Sequence, residues 1–215
     1  MHSYAISGSR AKTGGYIMII AAVVANGLNS SLDALLVYIP FDLPTLTISI
    51  PFTFAALFLL YDKWLWSWPL FSRVAGVPDI SGEWVGPLYS SYRSDGGGNT
   101  DTDDEPKGSL RPVFTIHQTW SKIEIDGDFS KSRSESITAS FSTEKGNPQL
   151  VFTYLNHPRT PNENNGQHEG VNKLRLVTDG DGNEVLEGEY YTGPSRNNHG
   201  TVELRRRGGK GWSDV

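Results

Sequence analysis

Catalysis needs acids, bases, nucleophiles or metal ligands at workable spacing, and this chain of 215 residues offers no such set. His117, His157, His168 and His199 are scattered over predicted strands and loops, with no H-x-x-x-H or related metal spacing. No G-x-S-x-G, P-loop or G-x-G-x-x-G occurs, and Gly96-Gly97-Gly98 lies in an acidic stretch, the wrong charge for cradling phosphate. Glu187 and Glu189 share one face of a predicted strand, where alternation places them in solvent. Cysteine is absent, which excludes disulfides and thiolate metal sites. The chain therefore reads as a binding protein rather than an enzyme, with no metal site.

The densest cluster of ligand-gripping residues lies near the C-terminus. Leu186-Glu187-Gly188-Glu189-Tyr190-Tyr191-Thr192-Gly193 is followed by Arg196 and then by Gly200-Thr201-Val202-Glu203-Leu204-Arg205-Arg206. Arginine forks onto phosphate in a bidentate manner, tyrosine offers a stacking face to a base, and a threonine hydroxyl can donate or accept. Tyr89, Tyr92 and Arg93 reach another strand end, and Tyr154 lies on a further strand. Each has a plainer alternative: tyrosines fill the cores of small barrels, and Arg196 is equally an exposed loop arginine.

These residues need a scaffold, and the pattern after Pro78 supplies one. Short alternating runs at about 81–89, 110–118, 121–126, 133–142, 149–155, 171–178, 184–192 and 200–206 read as eight strands. Turn residues separate them, at Asp126-Gly127-Asp128, Lys145-Gly146-Asn147-Pro148, Asp179-Gly180-Asp181-Gly182-Asn183 and Asn197-Asn198-His199-Gly200. Eight antiparallel strands of this length make a closed barrel or a sandwich, and a barrel of this count holds side chains or one small ligand. Gly82-Glu83-Trp84 on the first strand resembles the opening of lipocalin-type barrels, in which the tryptophan plugs one end. Ser94–Gly108, Asn156–Gly170 and the basic tail Arg205–Lys210 read as loops. The Asp179–Glu184 stretch lacks the helix and the closing glutamate of a calcium loop and reads as a hairpin turn.

The first 78 residues are of another kind. No lysine or arginine occurs between Lys12 and Lys63. Two apolar runs fill the gap, Tyr16–Tyr38 and about Leu46–Leu65, hinged at Pro40-Phe41-Asp42-Leu43-Pro44. Each has about the 20 residues an α-helix needs to cross a bilayer core about 30 Å thick. The fold class expected is thus a membrane α-hairpin of two transmembrane helices (residues 1–78) joined to an all-β, eight-stranded antiparallel lipocalin-like barrel (residues 79–215). Arg10 and Lys12 precede the first run, Lys63 and Arg73 follow the second, and the hinge carries only Asp42. The positive-inside rule then places both termini in the cytoplasm. Trp64, Trp66 and Trp68 read as an interfacial aromatic belt. Asn26, Asn29, Ser30 and Asp33 share one face of the first helix. They either mate helices between copies or mark a shorter span ending near Leu28 and continued by an interfacial helix.

Net charge is −5 for the whole chain, and the membrane part is slightly basic, so the barrel part carries the acidity. An acidic domain does not bind DNA or RNA non-specifically. It does allow a small anion held by one or two arginines.

The order of these parts resembles a known family. A two-helix hairpin leads to Tyr61-Asp62-Lys63-Trp64-Leu65-Trp66, then to Pro78-Asp79-Ile80-Ser81-Gly82-Glu83-Trp84-Val85-Gly86, then to a barrel ending in Gly-x-Tyr-Tyr-Thr, Arg and Gly-x-x-x-Leu-x-Arg. This resembles the two-transmembrane, β-barrel membrane effectors of bacterial CBASS anti-phage defence, the CD-NTase-associated effectors. The resemblance implies a mechanism. A partner CD-NTase makes a cyclic dinucleotide on infection, and the cytoplasmic barrel binds it as a signal rather than a cofactor. The protein then forms a homo-oligomer in the inner membrane, disrupts the lipid and kills the infected cell. The resemblance carries Tyr191, Thr192 and Arg196 as ligand contacts, whereas Tyr89 and Tyr154 are added from strand placement. The alternative is a membrane-tethered lipocalin-like carrier, or a scaffold, for a non-nucleotide ligand.

Overall fold

A computed structural model describes residues 1–6, 10–38, 47–91, 109–142, 147–160, 166–194 and 196–208. The predicted hinge at Pro40–Pro44, the acidic loop 94–108, and Tyr92 and Arg93 lie outside the described residues, as does the end of the basic tail. The chain forms two compact units, one of Met1–Ser7 with Val77–Val215 and one of Gly8–Gly76.

The first unit is a closed eight-stranded antiparallel barrel. Two short strands, β1 (His2–Ser3) and β2 (Ala5–Ile6), precede helices α1 (Arg10–Leu36), α2 (Ile50–Lys63) and α3 (Pro69–Ala75). The barrel then runs through β3 (Gly82–Val85), β4 (Leu88–Ser90), β5 (Ser109–Leu110), β6 (Val113–Gln118), β7 (Lys122–Phe129), β8 (Ser132–Ser142), β9 (Gln149–Pro158), β10 (His168–Thr178), β11 (Glu184–Thr192) and β12 (His199–Arg206). β3 and β4 form one stave interrupted at Gly86-Pro87, and β5 and β6 another interrupted at Arg111-Pro112, because proline brings no N–H to a ladder. Each stave pairs antiparallel with the next, and β12 closes the ring on β3 and β4.

The strands match the alternation read from sequence, with one correction. The expected loop Asn156–Gly170 is strand at both ends, since β9 runs to Pro158 and β10 starts at His168. Three inward-facing residues of the barrel, Asn156, His168 and Gly170, come from this stretch.

β7 and β8 pair directly only from Asp126–Phe129 to Ser132–Glu135. Beyond that they part, and the N-terminus fills the seam. β1 runs antiparallel to β7 (His2 opposite Ile123), and β2 runs parallel to β8 (Ala5 opposite Ser140, Ile6 opposite Phe141). Tyr4, between them, is buried, packs edge-on to Phe141 with ring centroids 5.7 Å apart, and donates its hydroxyl to the Thr119 carbonyl at 3.2 Å. Residues read from sequence as the cytoplasmic lead-in to a helix are thus part of the barrel.

Apolar side chains fill much of the interior: Ile80, Trp84, Ile123, Ile125, Leu150, Phe152, Leu174, Leu186 and Leu204 are fully buried. The Trp84 indole N–H donates to the Ile80 carbonyl at 2.8 Å, and the Arg206 guanidinium lies 4.9 Å above its ring. Burying an aromatic of this kind removes about 150–250 Å² from water, worth about 4–6 kcal/mol at 25 cal/mol per Å².

The second unit begins with α1, a continuous helix of 27 residues, about 40 Å long at 1.5 Å per residue. It is apolar and long enough to cross a membrane. Its buried residues, Thr13, Ile17, Ala21 and Ala25, fall at every fourth position, while Ile19, Ile20, Val23 and Leu28 are exposed. A narrow stripe of mostly small residues thus meets neighbouring helices, and the broad apolar remainder suits lipid. α1 runs without interruption past Leu28 to Leu36.

The second run is shorter than expected. Ser49 caps α2 by accepting from the Phe52 N–H, Pro51 occupies the first turn, and the helix ends at Lys63 after 14 residues. That is about 21 Å, short of a full span. A 3-10 turn at Leu65–Ser67 and α3 follow. The aromatic belt divides: Trp64 and Trp68 are exposed, whereas Trp66 is buried. Of the polar stripe, Asn29 is used within the chain, its amide donating to the Ile48 carbonyl at 3.0 Å and accepting from the Ile48 N–H at 2.8 Å. Asn26, Ser30 and Asp33 stay exposed.

Candidate ligand-binding site

Strand alternation decides what faces the barrel interior. Along β9 the buried residues are Leu150, Phe152, Tyr154 and Asn156, and along β10 they are Leu174, Asn172, Gly170 and His168. Both series turn from apolar to polar toward the same end. The register places Ser134, Asn156 and His168 on adjacent strands, then Tyr154 beside Gly170 and Gly170 beside Thr192. Asn172 sits opposite Tyr190, and Tyr190 opposite Gly200. One end of the barrel is therefore lined by polar side chains on several consecutive staves.

These side chains border an open-mouthed cavity of about 130 Å³. Small-molecule sites occupy roughly 300–1,000 Å³, so a ligand of that size would extend out through the open mouth. Leu88, Leu110, Phe114 and Phe129 form its apolar wall, and Ser90, Ser132, Ser134, Tyr154, Asn156, His168, Asn172, Tyr190, Thr192, Arg196 and Asn198 its polar one. Gly170 makes room: a Cβ there would strike both the Tyr154 ring and the Tyr191 carbonyl.

The electrostatics favour an anion. No Asp or Glu is among the described lining residues, and Arg196 brings a guanidinium to the wall. One Arg196 nitrogen lies 3.3 Å from both ring nitrogens of His168. Equal approach to both nitrogens within the ring plane would collide with the carbon between them, so the guanidinium lies over the ring face. Burial, partly opposed by the Gly166 carbonyl and assisted by Arg196, holds the His168 pKa below its ordinary value. The ring is thus a neutral platform at neutral pH. Burial, with Tyr190 nearby, pushes the Tyr154 phenol up to about 12 against the opposing pull of Arg196. Burial likewise raises Tyr190, whose hydroxyl donates to Ser90 Oγ at 2.6 Å. Both phenols remain protonated and able to donate.

A wall rich in hydroxyls and amides, with one guanidinium among its described residues, suits a ligand that joins flat polar rings to phosphate. Residues 75–206 match the family model of the Cap15 cyclic dinucleotide receptor domain. The chain belongs to this family. It is similar to CD-NTase-associated protein 15 of Yersinia aleksiciae, with 31% identity over 154 residues, covering 71% of this chain and 67% of the relative. It is also similar to CD-NTase-associated protein 15 of Staphylococcus schleiferi, with 28% identity over 134 residues, covering 62% of this chain and 64% of the relative. The family makes the ligand a signalling cyclic dinucleotide and the chain a CBASS effector.

In this Cap15-type barrel, three of the residues selected from sequence come together. Tyr154, Thr192 and Arg196 all line the cavity. Thr192 also braces the β11–β12 turn, donating to the Asn198 carbonyl at 3.0 Å and accepting from the Asn198 N–H at 2.7 Å. Tyr191 and Tyr89 lie elsewhere. Both are exposed, and Tyr191 donates to the Glu189 carboxylate with the Lys173 ammonium 5.7 Å from its ring centroid. Alternation contained this signal: Tyr191 has the parity of Glu187 and Glu189, and Tyr190 that of Thr192 and Leu186. Sequence reasoning passed over Tyr190 as a contact, and it passed over Asn156, His168 and Asn172. The last three sit where an Asn-rich stretch reads as loop or where a polar residue interrupts an apolar series.

Proposed function

We propose that this chain is a membrane-bound antiviral effector whose barrel, residues 79–215 closed by the N-terminal strands, binds a cyclic dinucleotide made by a partner CD-NTase and turns over no substrate. Binding drives copies together in the bacterial inner membrane, and residues 8–78 disrupt it, killing the phage-infected cell. The observation that carries this reading is the polar cavity with the Arg196 guanidinium on its described wall, in a family of cyclic dinucleotide receptors. Arg196 takes a phosphate, and the Tyr154 and Tyr190 hydroxyls with the buried amides take the bases or riboses. A polar lining of this kind speaks against an apolar cargo.

The proposed topology keeps both ends on the cytoplasmic side. Ile6 and Val77 both belong to the barrel unit, and α1 lies between them. If α1 crosses the bilayer, the chain must return before Val77. The return uses α2, the 3-10 turn and α3, with the exposed Trp64 and Trp68 at the interface.

The test uses the full chain in anionic liposomes loaded with a fluorescent dye. A panel of cyclic di- and trinucleotides is added, with binding, cross-linking and dye release followed together. Release and oligomer formation by one saturable ligand support the proposal. Saturable binding without either would leave a receptor but end the membrane-disruption reading.

A further inference from the structure

Helix α1 has two unlike faces. Thr13, Ile17, Ala21 and Ala25 are buried. At about 100° per residue, Gly15, Ile19, Ala22, Asn26, Ser30 and Asp33 fall on roughly the opposite side. Ala22 is partly exposed and the other five are exposed. Other polar side chains of the helical unit are used within it. The Thr13 hydroxyl donates to the Val74 carbonyl at 3.2 Å, and the Asn29 amide pairs with the Ile48 backbone. The Ser31 hydroxyl donates to the Gly27 carbonyl at 2.9 Å, and the Thr53 hydroxyl to the Ser49 carbonyl at 3.1 Å. Asn26 and Ser30, by contrast, form no side-chain hydrogen bond with any other described residue.

Counted from Thr13 at 1.5 Å per residue, Asn26 lies about 20 Å and Asp33 about 30 Å into a hydrocarbon core about 30 Å thick. Asp33 thus reaches the far surface and its water, whereas Asn26 stays in the apolar interior. Lipid tails offer a carboxamide no hydrogen bond, and polar side chains at such depth face protein or a water-filled cavity. Resting on the membrane-assembly reading above, we infer that this face of α1 is where copies meet, α1 packing on α1 of a second copy with Asn26 bonded to Asn26. Copies inserted the same way run their α1 helices parallel, so the two asparagines come opposite each other at one depth. A carboxamide is self-complementary: its oxygen accepts while its amide hydrogens donate, so each copy gives a bond and takes one. The spacing suits the contact as well. The residues of the face recur three or four positions apart, the pattern of a left-handed helix pair. Gly15 and Ala22 let the backbones approach closely. One asparagine at a core position of such a pair fixes its register.

The chain has no cysteine, so single cysteines report helix contacts without background. The experiment places the full chain in anionic liposomes and adds cyclic di-AMP, cyclic di-GMP, cyclic di-UMP and cyclic AMP–UMP in turn. Ile19→Cys, Ala22→Cys and Ser30→Cys sample the proposed face, and Ile20→Cys, Val24→Cys and Leu28→Cys the flanks away from it. Oxidation after ligand addition should yield at least about fivefold more disulfide dimer from the first three than from the second three. Amine cross-linking of the parent protein reports assembly independently of which face is used. Oligomers by that measure, with disulfides equal in the two sets or favouring the second, overturn the inference and leave the assembly reading standing. No oligomer with any nucleotide overturns the assembly reading, and this inference with it. A second measurement removes the bond itself. Asn26→Leu should lower ligand-driven oligomer yield at least about fivefold while the variant still saturates with ligand, and Asn26→Gln should keep most of the yield. A yield from Asn26→Leu within twofold of the parent also overturns the inference.

Discussion

Arg196 lays a guanidinium nitrogen 3.3 Å from both ring nitrogens of His168, so a cation rests on a buried imidazole at the wall of the cavity. The two residues are 28 apart in sequence and meet because β10 begins at His168 while Arg196 lies in the turn after β11. The stack aims the one guanidinium on the described wall. Arg196→Ala is expected to weaken dinucleotide binding at least tenfold, since charge-assisted bonds to a phosphate are worth about 1.5–3 kcal/mol. Calorimetry reports the affinity, and circular dichroism confirms that the barrel is folded.

His168 also makes a pH prediction. Its folded pKa lies below its ordinary value of 6.5, chiefly through burial. Over the interval between the lowered folded pKa and 6.5, the unfolded chain binds more protons than the folded one. Stability therefore rises with pH there and falls as pH drops through 6.5 toward the folded value. Melting curves of the full chain between pH 7.5 and pH 5 should show this loss, and His168→Gln should be less sensitive over the same range. Equal sensitivity of the two proteins would assign the loss to other groups.

Gly170→Ala is expected to destabilise the barrel by about 1–3 kcal/mol. The new Cβ would meet the Tyr191 carbonyl as well as the Tyr154 ring. Rotating the tyrosine relieves only half of the clash. Denaturant unfolding measures the cost, and ligand affinity should fall with it because Tyr154 lines the cavity.

Removing Tyr4 tests the N-terminal seam. Tyr4→Ala empties a buried aromatic site against Phe141 and is expected to cost about 3–5 kcal/mol, in the range of large-to-small core substitutions. A melting temperature within one degree of the parent would show that β1 and β2 do not close the gap between β7 and β8.

Tyr191→Ala should leave dinucleotide affinity within twofold, because its hydroxyl is paired with Glu189 and its ring is exposed away from the cavity lining. Tyr190→Phe should weaken binding several-fold, through loss of a hydroxyl that lies within the lining and holds Ser90. The same titration decides between the neighbours.

Much of this protein is legible in its residues because alternation and turn chemistry are local. Period-2 burial in β6, β7, β9 and β12 and the Gly/Asn/Asp turns between strands need no tertiary information, and neither does the apolar run of α1. The same locality placed Glu187 and Glu189 outward, and by parity it placed Tyr191 with them. Three things needed the folded chain. Asn156 and His168 lie in a stretch whose composition favours loop, and only cross-strand pairing, of Asn156 with Ser134 and of His168 with Asn156, makes them strand. β1 and β2 have two residues each, too short for any periodicity, and exist because β7 and β8 separate and leave unpaired ladder edges more than 100 residues downstream. The contact of Arg196 with His168 was decided by closure of the barrel, because a ring of strands brings to one rim residues whose separation in sequence says nothing of their distance in space.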